Sequence, residues 1–284
     1  MNPVDLDKTP DRQPQPPQLL PRPRRVAAGR GGGWLNEAWR IIRMKKGKWA
    51  VMFLIALLII GIVANFAPLL SPLLLILFMG GIVLSCDALV EGGQLEVEYV
   101  FAGFKYKLAD LLVMGVFYLA LTALIYFLVS IGMPELDDFY QMDTSQLPQA
   151  VKEGKISMGQ VSLFFLLDLL IFLPATMSVW FAVPLVVLND IKPIPAMLMS
   201  LKAFMLNIPA FWVCLLAWVV IILGLSTVFG ILVAVAEVFL QPQLAPIFVI
   251  PLAILLLALL LIVHYSSYRD VWTSPGLDLG GRGK

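Results

Sequence analysis

Asp168 is an acid written into the apolar run SLFFLLDLLIFLPATM, with Pro174 six residues further on. An ionisable side chain inside such a run is by default a proton relay or a cation site, because a charge persists there only when it is paired or used. The alternative is geometric. Leu169 to Leu188 alone supplies roughly the 20 residues that cross a bilayer, so a helix starting earlier leaves Asp168 at the outer headgroups with no partner required. Asn65 is the second candidate for an intramembrane polar site. The apolar runs offer few polar groups beyond these, Thr122 and Thr176, which is thin for the lining of a polar route.

Other residues that could do chemistry are sparse. His264, the single histidine, sits beside Tyr265 and Tyr268 near the end of an apolar run, where an imidazole among aromatics reads as an interfacial anchor. Asp87 and Glu91, one helical turn apart, could hold a cation but are more simply paired or solvated carboxylates at a span end. Glu237 marks the end of another run. The acids Glu135, Asp137, Asp138 and Asp143 lack the spacing of a calcium loop. Cys86 and Cys214 read as inert small hydrophobes. There is no glycine-rich phosphate loop, no nucleophile set that one histidine could complete, and no histidine or cysteine pair for zinc. The residues point away from an enzyme and imply no cofactor and no metal.

The elements that position these groups belong to a membrane protein. Of 284 residues, 60% are hydrophobic and only 14% are charged, and the mean hydropathy is +0.89, far from the balance of a soluble domain. Residues 1–33 are rich in proline, arginine and glycine and bury almost nothing, which predicts a disordered arm. Its Arg22, Arg24, Arg25 and Arg30 are too few and too irregular for an RNA-binding Arg-Gly segment, so nucleic acid is not an expected partner. No signal-peptide pattern precedes the first apolar run. Residues 34–268 form the expected transmembrane domain, with spans at about 49–66, 73–89, 111–132, 161–188, 208–236 and 247–265; residues 269–284 are a polar tail. Ala67 to Pro72 reads as a tight turn, Ser157 to Gln160 as a capping box starting a helix near Met158, and Pro174 and Pro184 as bends. Asn207 is placed to cap the fifth span. Gly80, Gly81 and Ser85 suit close helix approach.

Each outward-going span is preceded by an amphipathic stretch expected to lie along the membrane surface: AWRIIRMKKGKW, VFAGFKYKLADLL and SLKAFMLNIPAFW. In the second of these, Val97, Val100, Phe101, Phe104, Leu108 and Leu111 share one face. Each returning span ends near an aspartate, Asp87, Asp190 or Asp270. The chain therefore reads as three like-oriented units, and the expected fold is an all-α membrane protein: six transmembrane helices as three hairpins, each hairpin preceded by an interfacial helix. All 20 Lys and Arg except Lys152 and Lys155 fall on the side of the amino terminus, which puts both ends in the cytoplasm. The residues expected at the lipid interface are Trp34, Trp39, Arg40, Arg43, Lys45, Lys46 and Lys48 before the first span, Phe101, Phe104, Lys105 and Lys107 before the third, and Lys202 before the fifth.

The element GGQLEVEYVFAGFK, with SCDAL before it, resembles a family of uncharacterised six-span bacterial inner-membrane proteins, over about Val26 to Trp272. The resemblance implies a bacterial cytoplasmic membrane and supplies neither an activity nor catalytic residues. The expected function is a non-enzymatic scaffold that engages membrane lipids, anionic ones above all, with protein partners or a second copy of itself. A small-solute or proton-coupled transporter or channel using Asp168 is the alternative, and an intramembrane enzyme working with carboxylates alone comes third.

Overall fold

The computed structural model describes residues 17–132, 147–154, 157–239 and 245–274. In chain order the helices are α1 (Arg30–Met44), α2 (Lys46–Phe66), α3 (Ser71–Val90), α4 (Ala102–Tyr106), α5 (Leu108–Gly132), α6 (Leu147–Lys152), α7 (Met158–Trp180), α8 (Ala182–Asn189), α9 (Pro193–Leu206), α10 (Ile208–Phe239) and α11 (Ala245–Trp272). Short 3-10 turns precede α3 and α4. Five stretches are long and apolar enough to cross a membrane: Lys46–Phe66, Pro68–Val90, Phe172–Asn189, Ile208–Val235 and Val249–Trp272. A sixth forms if Val97–Tyr106 and Leu108–Leu124, which meet at an 80° bend, count as one broken span. The chain is thus an all-α, membrane-embedded protein. Along it, α2 packs on α3, α5 on α7, and α10 on α11.

Local chemistry accounts for the breaks. Pro68 and Pro72 sit in the first turns of consecutive helical pieces, where no N–H is needed, and Ser71 Oγ donates to the Pro68 carbonyl at 2.6 Å. The helix from Met158 starts where its capping box placed it and then breaks at Phe181, between the two expected proline bends. Pro184 cannot donate to the Trp180 carbonyl, and its ring pushes that carbonyl away. At the neighbouring rung, where the Phe181 N–H would meet the Met177 carbonyl, Ser200 of α9 is interposed: its hydroxyl accepts from the Phe181 N–H at 2.9 Å and donates to the Met177 carbonyl at 2.6 Å. A hydroxyl wedged into the backbone ladder is a recognised cause of a kink.

The segment after α3 turns on Gly92, at a φ of 89°, and climbs back along that helix. Glycine makes this approach possible. A methyl group on Gly103 would lie 2.1 Å from the Leu77 carbonyl oxygen, and one on Gly81 would lie 2.5 Å from that of Val100. Leu95 and Val100 are buried there, and Phe101 and Phe104 stand edge-on to each other and lean on Phe78. The expected face is thus the packed one, except that Leu108 is exposed.

Three expectations are corrected here. The first concerns the arm, of which residues 1–16 lie outside the described residues. From residue 17 it is ordered: Gln18–Leu19 pair antiparallel with Thr273–Ser274, Leu20 N–H donates to the Trp272 carbonyl and Arg24 N–H to that of Val271, both at 2.8 Å. These are carbonyls that the last turn of α11 cannot satisfy itself, so the strap caps the helix from outside. Asn207 does not cap α10 with its side chain; it holds the strap, accepting from Val26 N–H at 2.8 Å and donating to the Arg24 carbonyl at 3.0 Å. The third correction, after the arm and Asn207, is α1. Its stripe Trp34, Leu35, Ala38, Ile41 and Ile42 is buried against α10 and α11, and Gly31 lets it sit so close to α10 that an added methyl would overlap the Ala210 carbonyl oxygen, 1.9 Å away. Trp34 is a core residue, fully buried, and not a headgroup anchor.

Candidate functional site

The chemistry-bearing groups that the fold brings together lie where α11 ends. This helix passes from an apolar run into Tyr265-Ser266-Ser267-Tyr268-Arg269-Asp270, six consecutive polar residues that are all buried. At about 3.6 residues per turn, six in a row point in every direction around the axis, so this end must be enclosed on all sides. The six side chains form a polar seam with α1, α3, α7 and α8. Tyr265 donates to Asp87 of α3 at 3.0 Å, Ser266 to the Trp34 carbonyl of α1 at 2.9 Å, and Tyr268 to Asn189 of α8. Ser267 accepts from Trp180 Nε1 of α7 at 3.0 Å. Arg269 donates to Glu91 at 2.9 Å and to the Tyr265 oxygen at 2.7 Å, with Asp87 at 3.5 Å. Asp270 accepts from Trp34 Nε1 and Arg30 Nε of α1, each at 2.8 Å, while Arg30 also donates to Glu37 at 3.1 Å.

The electrostatics follow from these distances. The hydrogen bond from Arg30 to Asp270 raises the guanidinium's pKa further above its ordinary value, against the opposing effect of burial. On the exposed side of the same end, Lys107 is bonded to Asp190. That contact raises the Lys107 ammonium and lowers the Asp190 carboxyl. Asp190 itself adopts a left-handed conformation, with a φ of 57°, that closes α8. The aspartate at the end of each returning span therefore has a cationic partner: Asp87 with Arg269, Asp190 with Lys107, Asp270 with Arg30. Two of these ties join the first unit to the third, so the ends of the chain are locked together.

Such an arrangement can position helices; it presents no free nucleophile, and among the described residues no group of three or more His, Cys, Asp and Glu could hold a metal ion. The expected sites are dispersed. Asp168 lies within α7 with its side chain outside the described residues, as does that of Glu237 in α10, and the acidic segment 135–143 is outside them altogether. Asn65 is exposed near the end of α2 and donates to its own helix at Gly61, 2.9 Å away, so it lines no internal route. Among the interface candidates, Trp39, Arg43, Lys45, Lys46, Lys105 and Lys202 are exposed, and Arg40 is half-buried. Lys48 is turned inward to the Leu95 carbonyl at 2.6 Å and to Glu96. Phe101, Phe104 and Lys107 are half-buried in protein contacts.

The sequence marks His264 as an interfacial anchor beside Tyr265 and Tyr268 and Asn207 as a helix cap, and it assigns no role to Ser200 or Arg269. A run of polar residues continuing an apolar helix with no helix breaker is the signal that could have found the last of these. Comparison with known proteins returns no matching family model, no matching curated protein and no matching solved structure.

Proposed function

We propose that this is a six-span protein of a bacterial cytoplasmic membrane, its hairpins closed by the polar seam and its two ends cytoplasmic, that works without catalysis by gathering anionic lipid, and through it protein partners, at the inner leaflet. The observation that carries the reading is the outward edge of α1. Trp39 and Met44 are 39% and 46% exposed and stand among exposed Arg43, Lys45 and Lys46. An aromatic and a thioether between cations suit the headgroup layer, where each basic residue adds about 1 kcal/mol of attraction to an anionic leaflet. Lys105 and Lys202 extend the basic rim. The near-total confinement of basic residues to one side supports the orientation, and the likeness of GGQLEVEYVFAGFK to six-span inner-membrane proteins supports the setting.

Native mass spectrometry of the protein released from membranes tests this. Anionic phospholipid should remain bound in preference to zwitterionic lipid, and the combined change Arg40→Gln, Arg43→Gln, Lys45→Gln, Lys46→Gln should cut its retention by about tenfold or more, as expected for the loss of several such attractions. Equal retention by the variant would refute the reading.

A further inference from the structure

A cavity of about 90 Å³ opens between α3, α5, α7 and α11, walled by Leu75 and Met79, by Tyr118, by Thr176 and Trp180, and by His264. Thr176 is exposed, and Leu75 and Tyr118 are half-buried, so it opens on the outer, lipid-facing side of the helices. Its polar content is specific. His264 Nδ1 lies 2.7 Å from the Leu260 carbonyl; a carbonyl only accepts, so Nδ1 carries the proton and a neutral ring keeps a lone pair on Nε2. Among the described residues no donor lies within hydrogen-bond distance of Nε2. The ring is also held in place, stacked 3.9 Å from Trp180, whose indole N–H is in turn fixed by Ser267.

We propose that this cavity receives the hydroxyl end of a membrane-dissolved long-chain alcohol, which donates its hydrogen bond to His264 Nε2. A hydroxyl can at the same time accept from Tyr118 or Thr176, whereas a phosphate or ionised carboxylate would enter a pocket with no cation among the described residues of its walls and lose its hydration uncompensated. Size narrows the class. The space is smaller than the roughly 150 Å³ apolar cavity that holds benzene, so it admits a hydroxyl and the first few methylenes of a slim chain, while the remaining chain lies along the helices. The site is independent of the basic rim and of any lipid bound there.

Full-length protein in nanodiscs, treated with hexadecanol carrying a photoreactive diazirine near its hydroxyl, tests the assignment. Label should concentrate on the peptides containing Met79 and Tyr118 and be competed by plain hexadecanol but not by equimolar hexadecane. His264→Phe keeps a ring against Trp180 and removes the acceptor; it should lower labelling roughly tenfold, the effect of one lost hydrogen bond. His264→Gln, which retains an acceptor, should lose much less. If His264→Phe fails to fold by its thermal melt, Thr176→Trp, which blocks the mouth, replaces it with the same expected loss. Labelling unchanged in the folded variant, competition by hexadecane equal to that by hexadecanol, or label spread evenly over the spans would each overturn the proposal.

Discussion

Asp270 receives Trp34 Nε1 and Arg30 Nε on one carboxylate oxygen, each at 2.8 Å, and it does so in a buried position. Removing that carboxylate leaves the indole donor enclosed without a partner. Because Arg30 is 38% exposed and can turn to water, the loss is smaller than for a fully buried pair. Asp270→Ala should destabilise the protein by about 2–3 kcal/mol, and Asp270→Asn, which still accepts from Trp34, by about half as much, read from denaturant unfolding in mixed micelles. The pH dependence of this contact has a definite sign. A base whose pKa is raised in the fold contributes its stability below its unfolded value and loses it only as pH rises through the higher folded one. For Arg30 both lie far above the neutral range, the folded one the higher, so the contact adds no slope to stability between about pH 6 and about pH 9. The Lys107 contact with Asp190 behaves differently. Asp190's contribution is present above its ordinary 3.8 and is lost as pH falls through its lowered folded value. Both groups meet solvent, so salt screens them. Lys107→Gln should shift the unfolding midpoint slightly at low salt and not at all at about 1 M salt, where the screening length falls to roughly 3 Å.

At the scale of elements, the break between α7 and α8 shows how a span can be interrupted without leaving polar backbone bare. Ser200 completes the ladder from another helix. Ser200→Ala should cost about 1–3 kcal/mol by leaving the Phe181 N–H and Met177 carbonyl unpaired, and Ser200→Thr should recover most of it; the same unfolding measurement decides. Five long apolar stretches, the turn at Pro68–Pro72 and the start at Met158 were legible in the sequence because bilayer thickness, proline's missing N–H and a capping residue act locally; the run expected at 111–132 counts as a sixth only together with the bent piece before it. The proline-rich strap was not. Its composition offers no core of its own, and its order comes from the unsatisfied carbonyls at the end of α11, some 250 residues away in the chain. The polar seam was not legible for a related reason: aromatics beside an arginine look alike in a headgroup belt and in an enclosed helix end, and only the neighbours distinguish them. Trp34 and Trp39, five positions apart on one helix, divide the same way, one bonded to Asp270 and the other facing outward.

For the whole molecule, enclosure at one end contrasts with openness along the spans. Only 6% of the most apolar window of Ile208–Val235 is buried, against 67% of that of Pro68–Val90, so α10 offers its length to lipid while α3 forms the centre. The seam and the strap bind the helices together at a single end, and the basic rim surrounds that end. The central claim is that this rim meets an anionic leaflet on the side opposite Lys152. Amine-reactive footprinting of the intact protein in nanodiscs, read residue by residue by mass spectrometry, tests it most directly. With anionic in place of zwitterionic lipid, Lys45, Lys46, Lys105 and Lys202 should be modified several-fold more slowly, on the order of the roughly 1 kcal/mol per residue that such a surface supplies, while Lys152 is unchanged. Equal rates at those four lysines in the two lipids, or protection of Lys152 together with them, would contradict the account.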